Sequence, residues 1–362
     1  LLISLISCQA PQDKETNSEE ADDPAPQNII FLIGDGMSFP QITATEYDDG
    51  PLRMTSLPHS GFVTTYSSDS KVTDSAAGAT ALASGNKTDN GMLGVLPDGT
   101  PVQSIAQYAT ELEKTTALVA SSSITHATPA GFGIHHVDRG EEYIIAEKFV
   151  NSDIDILMGA GSDFFLPESE GGTRSDERNL ISEMEEEGYY YTDNEEGLSE
   201  VSNQEKVIAF LEGKELAPAP DRGDQLVQLT KAALETASQN PEGFFMMVEG
   251  SQIDWAGHDN DGERVVEEMK DFDAVVSTVM DFAEQDENTL VVISADHETG
   301  GLTMPGAEEG ELKYEYTTGG HTALDVPVFS YGPRAEMFEG RYDNTGIAKK
   351  LFEIWGKTIE DK

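Results

Sequence analysis

The sequence predicts an α/β protein built on one doubly wound, mostly parallel sheet flanked by helices. From Asn28 onward, short runs that are apolar on both faces alternate with stretches of helical periodicity, the pattern of buried parallel strands and their crossover helices. No repeat of fixed period and no low-complexity linker divides residues 28–362, which read as one domain. Hydrophobic residues make up 38% of the 362, and 34 glycines accompany them, so a large core is within reach despite the charge. That charge is formally −46, from 68 Asp and Glu against 22 Lys and Arg. It excludes a nucleic-acid backbone as partner, because such binding depends on cationic side chains releasing counterions.

The chain opens on Leu1-Leu2-Ile3-Ser4-Leu5-Ile6-Ser7-Cys8, an apolar run that reads as the tail of a secretory signal. Leu5-Ile6-Ser7-Cys8 resembles a bacterial lipobox, which makes Cys8 a candidate for a lipid anchor; the alternative is an ordinary cleaved signal with an incidental cysteine. Cys8 has no second thiol to pair with, so an intramolecular disulfide is excluded. Residues 9–27 are polar, acidic and proline-bearing, and read as a disordered tether. No later run approaches the ~20 apolar residues that span a bilayer. The expected location is extracytoplasmic, either periplasmic or held at a membrane by lipid, or secreted.

The expected strands are Asn28–Ile33, Thr116–Ala120, Ile154–Met158, Phe244–Val248, Leu290–Ile293 and Val326–Ser330. The clearest helix repeats Val265, Met269, Phe272, Val276, Val279 and Ala283 at spacings of three and four; Gln103–Leu112 and Gln228–Ala237 are weaker examples. In a doubly wound sheet, ligands bind beyond the carboxyl ends of the strands, so reactive residues should follow the apolar runs.

After the first run comes Gly34-Asp35-Gly36-Met37, an acid between glycines that allow close approach by a ligand, although Asp35 taken alone reads first as a turn residue or helix cap. Thr73-Asp74-Ser75 opens a small-residue helix ending near Gly85. Ser75 in its first turn is a plain capping residue or, beside the positive end of the dipole, a nucleophile toward phosphate. His126-Ala127-Thr128-Pro129-Ala130 follows the second run, with Arg139 beyond it, a guanidinium able to bind two phosphate oxygens or simply to pair with an acid. After the Phe244 run, Glu249 precedes Asp254, Trp255 and His258; Asp254 and His258, four apart, share a helix face and are zinc-compatible ligands. After the Leu290 run stand Asp296 and His297, and His321 sits in a Gly-Gly-His-Thr turn before the last strand. Only seven histidines exist, and three of them fall in these acid- or glycine-flanked turns.

Together these segments resemble alkaline phosphatase, from Asn28 to about Gly332, through IGDGM, TDSAA, HATPA with Arg139, VEGSQIDWAGH, and SADHETGG followed by GGHT. The resemblance implies Ser75 as nucleophile and Arg139 as phosphate clamp. It implies one Zn2+ on Asp254, His258 and His321, a second on Asp35, Asp296 and His297, and a Mg2+ on Asp35, Thr128 and Glu249. The reaction implied is hydrolysis of small phosphate monoesters through a phosphoserine. Members of the family are commonly homodimers, although no self-complementary patch is legible in this chain.

Two positions depart from the enteric bacterial pattern: His126 replaces an aspartate and Trp255 a lysine. His126 is a nitrogen donor that lets zinc compete with magnesium at the third site. Trp255 removes a cation that would retain phosphate. Asp74 adjoins the nucleophile. Only 23 residues separate His297 from His321, too few for a large lid domain. The main insertion lies between Gly161 and Asp221, and its acids Glu183, Glu185, Glu186 and Glu187 read as a solvated helix face. A sulfatase is disfavoured because Ser75-Ala76-Ala77-Gly78-Ala79 has neither the proline nor the arginine of a Ser-x-Pro-x-Arg motif. A cation-binding surface protein without catalysis would leave Ser75 and Arg139 unexplained. Most of the acids must be solvated surface, which suits a saline setting that screens their repulsion.

Overall fold

The computed structural model describes residues 25–308 and 311–359. The signal-like run, Cys8 and residues 9–24 of the expected tether lie outside them. At the tether's end, Pro26 is buried and its carbonyl accepts a hydrogen bond from Trp355 Nε1 at 3.0 Å, so packing begins just before Asn28.

In chain order the strands are β1 (Asn28–Gly34), β2 (His59–Thr64), β3 (Thr115–Ser123), β4 (Ile156–Ala160), β5 (Tyr190–Thr192), β6 (Val207–Phe210) and β7 (Phe244–Gly250). They continue with β8 (Thr289–Ser294), β9 (Glu298–Thr299), β10 (Thr303–Glu308), β11 (Glu311–Glu315), β12 (His321–Thr322), β13 (Val326–Tyr331) and β14 (Gly340–Asp343). Ten of them form one sheet, ordered β14-β2-β13-β8-β1-β7-β3-β4-β6-β5. From β8 across to β5 every neighbouring pair is parallel. Every residue of β1, β7 and β8 is buried, which is why those runs are apolar on both faces.

Each of the six expected strands forms, with two adjustments. The Ile154 run is displaced two residues, to Ile156–Ala160. The Val326 run is antiparallel to both β8 and β2, not parallel like its neighbours. A parallel return needs a crossover long enough to carry the chain back along the sheet. Among the described residues between β8 and β13 no helix occurs; they make the β10–β11 hairpin and the β9–β12 pair, so β13 starts at the end where β8 stops. The insertion between Gly161 and Asp221 supplies β5 and β6 to the far edge of the sheet, and its helix Leu180–Glu186 buries Leu180, Ile181 and Met184 while Glu185 and Glu186 face solvent.

The long helix Gly262–Asp286 buries all six residues of the expected periodicity. Helices Ile105–Glu111 and Gln225–Ala237 occupy the two weaker segments. Beneath the site, Phe132 packs edge-on to Phe31 and stacked on Phe245, both at 6.0 Å between ring centres, all three fully buried. Burial of each such ring contributes about 1.5–3 kcal/mol, so the strands that carry the site rest on a stiff platform.

Candidate active site

Register brings the strand-end residues together. Ile33 of β1 lies opposite Glu249 of β7 on one side and Ser294 of β8 on the other. Two residues beyond those partners, Asp35 and Asp296 therefore emerge side by side at the carboxyl edge. Gly36 has φ +76°, and a Cβ there would lie 2.7 Å from Asp254 Cα, so glycine is required for the turn to pass the helix Gln252–His258.

The helix Ser75–Ser84 points its start at this edge. Asp74 caps it, accepting from Ala77 N at 3.0 Å, and Gly85 closes it at φ +71°. A Cβ on Gly78 would meet Asp296 Cβ at 2.9 Å, so glycine lets the helix press directly against the metal-ligand candidates. Ser75 is buried in the first turn, its Oγ 3.3 Å from His297 Nε2.

Arg139 is aimed by the same cap. Its Nη1 donates to Asp74 Oδ2 at 3.2 Å, its backbone N–H donates to Gly91 O at 2.8 Å, and Gly91 N–H returns a bond to Asp74 Oδ2 at 3.0 Å. Arg139 Nη2 lies 3.3 Å from His126 Nε2, and Trp255 stands edge-on to the His126 ring at 5.9 Å. Burial, reinforced by Arg139, pushes the His126 imidazole down to about 3, so it is a neutral donor.

Among the described residues three overlapping groups have ligand atoms within 4.8 Å of one another: Asp254, His297 and His321; Asp35, Asp296 and His297; Asp35, His126 and Glu249. The second is the expected trio. In the first, His297 stands where His258 is expected, because its ring stacks on His321 at 3.5 Å. His258 remains adjacent, its Nε2 3.3 Å from Asp254 Oδ2 and 3.1 Å from His321 Nε2. In the third, His126 joins the acids, and Thr128 is buried beside them with Oγ1 unbonded.

The hydrogen bonds orient these rings for ligation. His258 Nδ1 and His321 Nδ1 donate to the carbonyls of Gly319 and Thr73, each at 2.8 Å. A carbonyl only accepts, so both Nδ1 atoms carry hydrogen and both Nε2 atoms turn inward as donors to an ion. Asp35 Oδ1 and Oδ2, Glu249 Oε1, Thr128 Oγ1 and His126 Nδ1 are all buried without a hydrogen-bond partner. Buried polar atoms are nearly always paired, so this concentration fits residues that hold cations.

The protonation preferences agree. Burial, aided by Asp296, Asp254 and Glu249, holds the Asp35 carboxyl well above its usual range. Burial likewise raises Glu249 to about 7 and, with Asp254, Asp296 to about 6. Burial and then His321 hold His297 well below the usual imidazole value. Asp254 and His258 are the exceptions: burial raises Asp254, but the His258 bond and the surrounding imidazoles win and hold it low, and the same bond lifts His258 to about 9, so this imidazole gives up its Nε2 proton to bind an ion.

Sequence reasoning missed the residues that brace this cluster. Buried Glu298 accepts from Gln41 Nε2, Gly301 N, Leu302 N and Thr322 Oγ1, tying the His297 turn to the strand that carries His321. Thr299 Oγ1 donates to Asp254 Oδ1 and lies 3.2 Å from His297 Nδ1. Ser251 Oγ donates to Glu249 Oε2 at 2.7 Å. The only local signal was their adjacency to ligand candidates.

A buried serine at a helix start, a guanidinium held beside it, and clusters of carboxylate and imidazole at the carboxyl edge of a parallel sheet define a metal-binding hydrolase. The profile of the alkaline phosphatase family matches residues 26–315, and the chain belongs to that family. It is 32% identical to alkaline phosphatase 3 of Bacillus subtilis, over 99% of this chain and 96% of the relative. Streptomycin-6-phosphate phosphatase of Streptomyces griseus is 30% identical, over 92% of this chain and 91% of that one. The solved alkaline phosphatase of the Antarctic bacterium TAB5 superposes with a TM-score of 0.86 at 36% identity, over 92% of this chain and all of that one. The protein is thus an enzyme that hydrolyses phosphate monoesters.

Proposed function

We propose that hydrolysis proceeds in two in-line steps through a phosphoserine at Ser75. The observation that carries this reading is the placement of the Ser75 hydroxyl, buried at a helix start, 3.3 Å from His297 Nε2 and beside the unpaired carboxylate oxygens. In the first step Ser75 Oγ bonds to phosphorus as the ester oxygen leaves, and the proton given up by Ser75 ends on the departing alcohol. In the second, water attacks phosphorus, the Oγ–P bond breaks, Ser75 regains a proton and phosphate departs. Arg139, aimed by Asp74, binds two equatorial phosphate oxygens through both steps, and the positive end of the Ser75–Ser84 helix adds to their stabilisation.

Asp254, His258 and His321 would hold one Zn2+, and Asp35, Asp296 and His297 a second, since mixed imidazole and carboxylate donors suit zinc. Asp35, Thr128 and Glu249 supply oxygen only, which suits Mg2+. Bound there, divalent ions would lower the pKa of the attacking groups and neutralise charge on the entering and leaving oxygens. His126 lies within reach of Asp35 and Glu249 and admits zinc to that third site. Variants of the TAB5 enzyme in which a histidine is replaced by aspartate or glutamate are described with Mg bound in the site called M3, and we assign His126 the part of that histidine.

The location we propose is extracytoplasmic, on the signal-like run Leu1–Cys8. Among the described residues no helix is long and apolar enough to cross a membrane.

The test is turnover of p-nitrophenyl phosphate and of its diester and sulfate analogues, at about pH 7 to 10, with and without EDTA, for the wild type and Ser75→Ala. The monoester should be strongly preferred, and both EDTA and Ser75→Ala should lower its turnover by at least ~10³-fold. Monoester turnover insensitive to EDTA, or independent of Ser75, would refute the mechanism.

A further inference from the structure

Behind the third cluster lies a set of hydroxyls that the two chemical steps do not use. Strands β3 and β7 pair in parallel with Ala120 opposite Glu249, so the residues just beyond them, Ser121 and Ser122 on one chain segment and Ser251 on the other, meet at the same edge. Ser251 Oγ donates to Glu249 Oε2 at 2.7 Å, and Ser122 Oγ reaches the same oxygen at 3.3 Å. Ser251 is itself held in place. Its Oγ accepts from Ser122 N at 3.1 Å, and its backbone N–H donates to Ser121 Oγ at 2.9 Å. All three serines and Glu249 are fully buried.

The two oxygens of Glu249 are therefore unequal. Oε2 accepts the Ser251 hydroxyl, with Ser122 Oγ beside it and shared with the Ser123 carbonyl at 3.2 Å, and Oε1 is buried without a hydrogen-bond partner. A carboxylate held through one oxygen offers an ion its other oxygen in preference to both. Mg2+ requires a near-octahedral shell and takes one oxygen per carboxylate, whereas the larger Ca2+ accepts bidentate carboxylates and more ligands.

We propose that Ser251, backed by Ser122, is a positioning residue that makes Glu249 a one-oxygen ligand and so sets the third site's preference for Mg2+ over Ca2+. The proposal rests on the reading of Glu249 as a metal ligand. It adds a determinant of metal choice that lies outside the ligand set and was not anticipated from the ligands' own chemistry.

The experiment is equilibrium dialysis of the enzyme carrying two equivalents of zinc against Mg2+ or Ca2+, with bound metal measured directly, for the wild type, Ser251→Ala, Ser251→Thr and Ser122→Ala. The wild type should bind Mg2+ more tightly than Ca2+. Ser251→Ala should lose about 10–100-fold in Mg2+ affinity, the usual effect of removing a group that orients a ligand, and less in Ca2+ affinity, so that the Mg2+/Ca2+ ratio falls by about tenfold. Ser251→Thr keeps the hydroxyl and should restore the ratio to within about threefold. Ser122→Ala removes the longer bond and should lower the ratio by a smaller factor; it carries the test alone if Ser251→Ala does not fold. An unchanged ratio in whichever variant folds overturns the proposal. A wild type that binds neither ion beyond its zinc overturns the reading of Glu249 itself, a different result from a wild type that binds Mg2+ and a variant that binds it equally well.

Discussion

Two parts of this molecule bury acidic groups, and they treat them in opposite ways. Where the helix Ala219–Arg222 meets the long helix Gly262–Asp286, Arg222 Nη2 donates to Glu268 Oε2 and Asp271 Oδ2, both at 2.6 Å, and Nη1 donates to Ala217 O at 2.9 Å. The remaining oxygen of Glu268 accepts from Ala219 N at 2.9 Å. That cluster is complete within the protein. At the carboxyl edge of β1, β7 and β8, the fully buried Asp35, Glu249 and Asp296 face one another, and both oxygens of Asp35 and one of Glu249 have no hydrogen-bond partner. The first arrangement is a structural joint. The second destabilises the protein alone and is explained by the cations it is shaped to hold.

The contrast can be broken most forcefully at Arg222. Arg222→Leu should leave Asp271 without a counterion and Glu268 with only Arg264, 3.9 Å away, and cost about 3–5 kcal/mol, read as a fall in denaturant midpoint that added zinc does not repair. A loss under about 1 kcal/mol would show that Arg222 does not hold this joint together.

The effect of pH on the metal-free protein comes next. Glu249 and Asp296 titrate at about 7 and about 6 when folded, against ordinary values of 4.5 and 3.8, but below about 6.5 their extra protons are offset by the buried, neutral His126 and His297; above that pH the raised Glu249 and His258, at about 7 and about 9, leave the folded chain with more protons than the unfolded one. Stability of the EDTA-treated protein should therefore fall as pH rises from about 6.5 to about 9, and the zinc-loaded protein should not share that slope. Equal slopes with and without metal, measured by urea unfolding, would contradict the contrast.

Glu249→Gln sharpens it by acting with opposite signs in the two states. In the metal-free protein it removes a repelled charge and should raise stability, on the order of 1–3 kcal/mol, while metal-dependent turnover falls. Destabilisation of the metal-free form would mean that the carboxylate is already compensated.

The smallest expected effect comes from giving the open site a fixed cation of its own. Trp255→Lys, beside His126, should tighten inhibition by inorganic phosphate several-fold, about 1 kcal/mol, by slowing product release. Phosphate inhibition unchanged from wild type would remove Trp255 from the account of product retention.

Much of this was legible in the chain. Five of the six apolar runs became parallel strands because burial on both faces of a parallel sheet leaves a purely local mark; the sixth, β13, is antiparallel and partly exposed along its second half. Asp35, Asp296, His297, Glu249, Asp254, His258 and His321 could be named because each follows such a run or sits in a glycine-flanked turn. Strands β2, β5, β6 and β14 passed unnoticed; they are four to six residues long, or three in β5, and the exposed or alternating residues of β2 and β14 carry little periodicity.

The sequence by itself determined the class of fold, the chemical character of the ligand candidates and the family, since periodicity and motif spacing are properties of neighbours along the chain. Only the tertiary structure decided which residues meet. It turned β13 antiparallel because no helix among the described residues separates it from β8, and it stacked His297 on His321 so that one imidazole borders two clusters. It set Ser122 against Ser251 across two strands 129 positions apart, leaving one oxygen of Glu249 bonded and the other bare. Register between distant strands depends on how the whole sheet packs, and no local pattern encodes it.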